Sequence, residues 1–389
     1  MSPLTRLWHD AAHDSPDSFK PMLKRLSLAL GLTLILLLAA CSQQAELCSR
    51  PDQNPDCLRF LEQRLDEARV PGVSVAIIEN RRLVSQWAVG NHAAENGRLL
   101  TSVTPFQAGD LGQLVTAIGV ISWLQESERD LDFKVNQSLS GWRIPDNSRW
   151  SGDSVTVRHL LSQRSGLTPT RFQGYRFGER QPGWSALLNG TEPAKSEPFQ
   201  LAGQPGQTCH PSAAGYEVLA YWLEQETANS FPIWQNRAVF TPLNIPARYR
   251  LIGLPAPALG HDWQGDTIAG GYRRYVERAS SGLWASPTDM ARVLMEVMAA
   301  ERGIGRVLTD SSLINEMLTP QGCGWGLGAR IERTDSGTLI FSEGVTPGYR
   351  AKLAGNLQDG HGVVIMTNGD RGDRIIEELV TAVRRDYNW

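Results

Sequence analysis

Strand-forming runs stand at both ends of this 389-residue chain, and helical periodicity fills the space between them. Near the start, Gly72 to Glu79 (GVSVAIIE) and Arg82 to Gly90 (RLVSQWAVG) flank a polar turn at Asn80-Arg81, which reads as a hairpin. Towards the end, Trp325 to Glu332, Gly337 to Ser342, Tyr349 to Ala354 and Gly362 to Thr367 read as four more strands. A long helical pattern covers Asp110 to about Glu126, and shorter ones start at Val155, Ser212, Pro287 and Asp310. Leu58, Leu61, Leu65 and Ala68 predict a helix up to Val70, stopped by Pro71, and an amphipathic helix closes the chain over Asp370 to Arg384. The fold class that satisfies this order is α+β. A mostly antiparallel sheet is built from the N- and C-terminal strands, flanked by the terminal helices, with a helical lobe inserted at about 110–280. The irregular stretch Leu167 to Gln207, rich in Gly, Pro and Arg, is longer than an ordinary loop and so is expected to be functional or mobile.

The N-terminus speaks for the compartment. Lys24 and Arg25 precede an apolar run from Leu26 to Leu38, and Leu38-Ala39-Ala40-Cys41 follows. The order is that of a secretory signal whose apolar stretch is too short to span a bilayer. Its ending has the form of a bacterial lipobox, which makes Cys41 the expected lipidation site and the lipid the expected membrane partner. Asp10, Asp14 and Asp17 do not suit a signal, so Met22 is the expected start and residues 1–41 the leader and signal peptide. Ser42 after the cysteine, in place of Asp, implies sorting to the outer membrane, facing the periplasm. Residues 42–57 are expected as a tether and 58–389 as the folded domain.

Export into an oxidising compartment permits disulfides. Cys48 and Cys57 are expected to pair, closing a short loop at RPDQNPD, because no His stands near enough to complete a zinc set. Cys209 and Cys323 are left open at this point. Thirty-eight Lys and Arg against 41 Asp and Glu, scattered along the chain, argue against nucleic-acid binding. No cofactor or metal motif is recognised.

The segments Val70 to Ile78 (VPGVSVAII), Asp130 to Val135 (DLDFKV), Val155 to Leu167 (VTVRHLLSQRSGL), Gln204 to Glu224, Ser280 to Leu294 (SSGLWASPTDMARVL), Gly324 to Gly328 and Gly344 to Leu353 (GVTPGYRAKL), followed by GVVIMTN, come in a distinctive order. The chain thereby resembles the serine β-lactamase and penicillin-binding-protein superfamily, and within it the class C β-lactamase and esterase branch, over roughly residues 58–386. The resemblance implies a β-lactamase/transpeptidase-like fold and a catalytic set of Ser and Lys one helical turn apart, a Tyr-Ser-Asn relay and a Lys/His-Ser/Thr-Gly strand.

The residues at those positions differ. Asp110 stands for the nucleophile and Gln113 for the Lys base; Pro211-Ser212-Ala213 stands for Tyr-Ser-Asn, and Ser342-Glu343-Gly344 for the strand motif. No Ser-x-x-Lys occurs anywhere in the chain. Losing a nucleophile alone costs a comparable hydrolase about 10⁶ in rate. Asp110 and Gln113 are read as a helix capping box, with Asp110 as nucleophile or base the sharper alternative. Ser212 is read as an N-cap, and His159 as a packed core residue. Glu343, placed across the cleft from Asp110 by the resemblance, predicts an acidic cleft that would admit an amine or basic peptide. The resemblance also puts Cys209 and Cys323 at the cleft border, where a bond between them would stiffen the site. Trp142, Trp150 and Trp184 fall in loop-like stretches.

The functional expectation is a catalytically inactive, lipid-anchored envelope protein that acts in ligand binding or scaffolding, using its old cleft or a face of it for a periplasmic ligand or protein partner. The alternative is a serine hydrolase with a relocated nucleophile, Ser212 or Ser165, the former two residues from His210.

Overall fold

The computed structural model describes residues 47–389 apart from Asn96 and Thr208; the signal segment, Cys41 and Ser42 lie outside the described residues. Ten strands appear among them. β1 (Gly72–Glu79) and β2 (Arg82–Gly90) form the expected hairpin, with a register shift between Ile77 and Ile78. β3 (Phe106–Gln107), β4 (Leu167–Thr168), β5 (Gln200–Leu201) and β6 (Trp284–Ala285) are two-residue pieces; β7 (Arg330–Thr334), β8 (Gly337–Thr346), β9 (Tyr349–Asn356) and β10 (His361–Thr367) close the chain. The main sheet runs β2-β1-β10-β9-β8-β7, antiparallel at each pairing, so the two termini meet at β1 and β10 with Val75 opposite Ile365.

Alternation along β1 and β10 explains the layering. Val73, Val75, Ile77, Val363 and Ile365 pack with Leu61 and Leu65 of α1 (Pro55–Ala68) and with Ile375 and Leu379 of the closing helix. Ala76, Ile78, Val364 and Met366 face the other way, into the larger core. There α2 (Leu111–Glu126) is buried from Leu111 through Ser122, the mark of a helix surrounded on all sides. α3 (Val157–Leu161), α4 (Ala213–Thr227) and α5 (Pro287–Glu301) complete that layer, and α6 (Gly372–Asp386) is the closing helix.

Among several shifts of an element's end by a few residues, three differences from the sequence reading stand out. α1 begins at Pro55 rather than Leu58, because Asn54 caps it, accepting from the Asp56 and Cys57 amides, and proline suits the first helical position. The packed unit itself begins at Leu47. Part of the expected tether is therefore docked: Leu47 and Ser49 are buried, the Trp87 indole donates to Ser49 O at 2.9 Å, and Ser49 N donates to Asp386 at 2.9 Å. The Cys48–Cys57 disulfide, Cα atoms 5.9 Å apart, locks this segment to α1. The third difference is Trp325 to Glu332, which is a strand only from Arg330. Gly322, Gly324 and Gly328 take φ of +138°, +75° and +100°, which turns the chain before the ladder can start. The stretch from Leu167 to Gln207 is ordered at its base, where β4 pairs β5, and carries a short helix at Trp184–Asn189.

Candidate functional site

The site grows from a close approach between a turn and a strand. β3 pairs β6 and delivers the chain into Ala108-Gly109, with Gly109 at φ +55°. A Cβ on Gly344 would lie 2.1 Å from Ala108 O, and one on Gly109 2.7 Å from Val345 N. Both positions therefore require glycine for β8 to touch the start of α2.

Asp110 sits at that contact, but not as a cap. Its backbone is already helical (φ −66°, ψ −8°), and its carboxylate takes no amide of the first turn. Those amides bond instead by short i to i−3 links, Leu111 N to Ala108 O (3.2 Å), Gly112 N to Gly109 O (3.0 Å) and Gln113 N to Asp110 O (2.9 Å). The capping-box expectation is thus overturned, since the turn satisfies the helix end with its own carbonyls. Gln113 donates through Nε2 to Asp110 Oδ1 at 3.0 Å, side chain to side chain.

The chain of bonds continues inward. Gln163 Nε2 donates to Gln113 Oε1 at 2.7 Å, and Ser212 N donates to Gln163 Oε1 at 2.6 Å. The last bond fixes the polarity of all the others. A backbone N–H can only donate, so Gln163 must present its oxygen to Ser212 and its NH2 to Gln113, which in turn presents NH2 to Asp110. Gln113, Gln163 and Ser212 are all buried. Gln163 carries φ +60°, uncommon for a residue with a Cβ, and is held there by its two side-chain bonds.

Burial pushes the Asp110 carboxyl up to about 7, against the opposing pull of Arg171 and the Gln113 hydrogen bond. Arg171 reaches this neighbourhood because residues 169–170 abut the start of α4: Ala213 N donates to Thr170 O at 3.2 Å and Ala214 N to Pro169 O at 3.1 Å. Among the described residues the buried Tyr275 hydroxyl has no hydrogen-bond partner, and burial, with Glu277 and Asp110 close by, raises it.

Ser212 is the N-cap of α4, its Oγ accepting from Gly215 N at 3.1 Å. Ser165 is buried, its Oγ accepting from Leu167 N at 3.3 Å. His159 forms a capping box with Thr156, and burial lowers its pKa. His210 is exposed.

Glu343 does not face Asp110 across the cleft as expected. It lies opposite Lys352 in the β8–β9 register and pairs with it at 3.2 Å; Lys352 also binds Glu377 on α6. Gly344 faces α2, as its approach to Ala108 and Leu111 shows, so Glu343 alternates onto the opposite face of the sheet. The acidic cleft therefore loses one of its two carboxylates.

Cys209 and Cys323 are disulfide-bonded, with Cα atoms 6.1 Å apart. Arg164 ties the same two segments, donating to Gln321 O and Gly206 O. Together they anchor the stretch leading into Ser212. Trp184 donates to Glu224 at 2.8 Å and Trp142 stacks edge-on against Phe199, so both are held in packing contacts. Among the described residues, no three His, Cys, Asp or Glu side chains converge as a metal site would require.

Gln163, Arg171, Arg164 and Tyr275 escaped the sequence reading. For Gln163 a signal was present, since it lies within VTVRHLLSQRSGL, one of the segments that carry the resemblance.

A mixed α/β protein with a mostly antiparallel sheet and a helix starting against one of its strands is the β-lactamase/transpeptidase architecture. The β-lactamase family model matches residues 58–384, and the chain belongs to that family. It is 25% identical over 346 residues to penicillin-binding protein 4 of Amycolatopsis lactamdurans, spanning 79% of this chain and 84% of that one. Its fold is similar to that of the octameric penicillin-binding protein homologue from Pyrococcus abyssi (TM-score 0.66, 19% identity, 85% and 76% of the two chains). It is also similar to D-amino acid amidase from Ochrobactrum anthropi SV3 (TM-score 0.67, 17% identity, 85% and 99%).

Proposed function

We propose that this chain is a catalytically inactive β-lactamase-family protein, exported and lipid-anchored through Cys41, that binds a periplasmic ligand or protein partner. The observation that carries the reading is the amide chain from Ser212 N through Gln163 and Gln113 to Asp110. Acyl transfer needs a nucleophile and a base that can take its proton. A primary amide takes no proton at neutral pH, and here two amides in series occupy the path. The carboxylate at the head of α2 accepts from one of them. The envelope location rests on the signal and lipobox sequence. Substituting Cys41→Ser should release the protein from the membrane fraction.

The test of inactivity is covalent labelling of residues 42–389 with a fluorescent penicillin and, separately, a fluorophosphonate, read by intact mass. No adduct from either agent is expected. The similarity to a penicillin-binding protein and to a D-amino acid amidase favours a hydrolase as the competing reading, and a stoichiometric adduct abolished by Ser212→Ala would establish it.

A further inference from the structure

Phe177 is 80% exposed at the tip of the stretch between β4 and β5, in the sequence Arg176-Phe177-Gly178-Glu179. A single exposed phenyl is ordinary on a protein surface. This one is held outward by a built turn. Gly178 supplies φ +87°, and Glu179 N donates to Arg176 O at 3.2 Å while Arg176 N donates to the Glu179 carboxylate at 2.6 Å. Arg274 clamps the turn from behind, donating to Arg176 O and Glu179 O, both at 2.9 Å. Its own backbone exchanges two 2.8 Å bonds with the buried Tyr175, and its guanidinium stands 5.6 Å from the centre of the Phe177 ring. Glu179 is neutralised by Lys195.

The surroundings are cationic. Arg176 and Arg180 are exposed, Arg273 and Arg274 are half-buried, and among the described residues no salt bridge ties down Arg176 or Arg180, although Arg176 stands near enough to Glu179 to help lower its pKa. Exposed arginines one residue before and three residues after an outward-held aromatic ring match the phosphate and acyl layers at a membrane surface. The cations meet headgroup phosphates and the ring enters the interface below them.

We propose that this arginine-flanked tip is a docking element for an anionic lipid bilayer, with Phe177 as the inserted side chain. Beside the lipid anchor proposed at Cys41, and without depending on it, the tip gives the domain a membrane contact of its own, separate from the site around Asp110 and independent of whether that site is catalytic.

Residues 42–389 contain the whole packed unit and lack the lipid, so they can be sedimented with vesicles directly. Vesicles of phosphatidylcholine with phosphatidylglycerol should bring the protein down, pure phosphatidylcholine should not, and added salt should release it. Arg176→Ala and Arg180→Ala should each lower partitioning about fivefold, and Phe177→Ala comparably, with thermal unfolding unchanged because all three side chains are exposed. Absence of binding to anionic vesicles would overturn the proposal. So would binding that survives all three substitutions, since the lipid would then meet another surface.

Discussion

Gln163 donates its side-chain amide to Gln113 at 2.7 Å, which places a neutral, one-directional hydrogen-bond chain between the head of α2 and the cap of α4. Both glutamines are buried, so each of their polar atoms depends on the other residue or on a fixed neighbour.

Gln163→Leu should destabilise the fold by about 1–3 kcal/mol, because Ser212 N and Gln113 Oε1 lose their partners together while buried. Gln113→Leu should cost a similar amount. The double substitution should cost less than the sum, as expected for two members of one network. Urea denaturation of the four proteins measures the coupling, and strict additivity would contradict it.

Stability should fall as pH rises from about 4 to about 8. Burial raises Asp110 to about 7, Glu277 to about 7 and Glu217 to about 8, from ordinary values near 4. Raised carboxyls bind their protons more tightly in the folded state. Their contribution is therefore whole below the unfolded values and drains away as pH climbs through the folded ones. Asp110→Asn and Glu217→Gln should each flatten the curve of melting temperature against pH. Gln at position 217 can still accept from Ser280 N and Oγ, now at 2.8 and 2.9 Å, so the fold should persist.

Gly344→Ala should loosen the contact between β8 and α2, since the added Cβ would meet Ala108 O at 2.1 Å. A loss of about 1–3 kcal/mol is expected for forcing a methyl into such a contact. Hydrogen exchange at Leu111 to Gln113 should quicken. Unchanged exchange there would mean that strand and turn do not depend on the glycine.

Cys209–Cys323 should be reduced before Cys48–Cys57. The first pair is exposed on both sides, whereas Cys57 is buried. Replacing Cys209 and Cys323 by Ser should cost about 2–4 kcal/mol, because their bond closes a span of 114 residues in the unfolded chain against 9 for the other. Stepwise alkylation under rising reductant, read by mass, gives the order.

Arg350→Ala should be among the more damaging single changes in the sheet. Its buried guanidinium binds Asp370 at 2.9 Å and donates to Thr346 O and Tyr349 O, so truncation removes the charge partner of a largely buried carboxylate and leaves it, among the described residues, only the Gly348 amide. About 3–5 kcal/mol is expected. Calorimetry would show the loss, and a melting point within a degree or so of the parent would refute it.

The sequence by itself determined what depends on neighbours along the chain. The hairpin at Asn80-Arg81, the order of strands and helices, the N-cap at Ser212 and the absence of any Ser-x-x-Lys were all legible, because turn chemistry, periodicity and capping act within a few residues. What it misjudged lies where segments far apart in the chain meet. Asp110 and Gln113 read as a local capping box, but Gln163, 50 residues on, accepts the role of partner to Gln113, and the turn's own carbonyls satisfy the helix end. Glu343 read as a cleft acid, but the side of the sheet it occupies is fixed by the approach of Gly344 to Ala108 and by pairing with Lys352. Only the tertiary structure decided these points, since a strand's alternation says which residues share a face and not which face meets the helix.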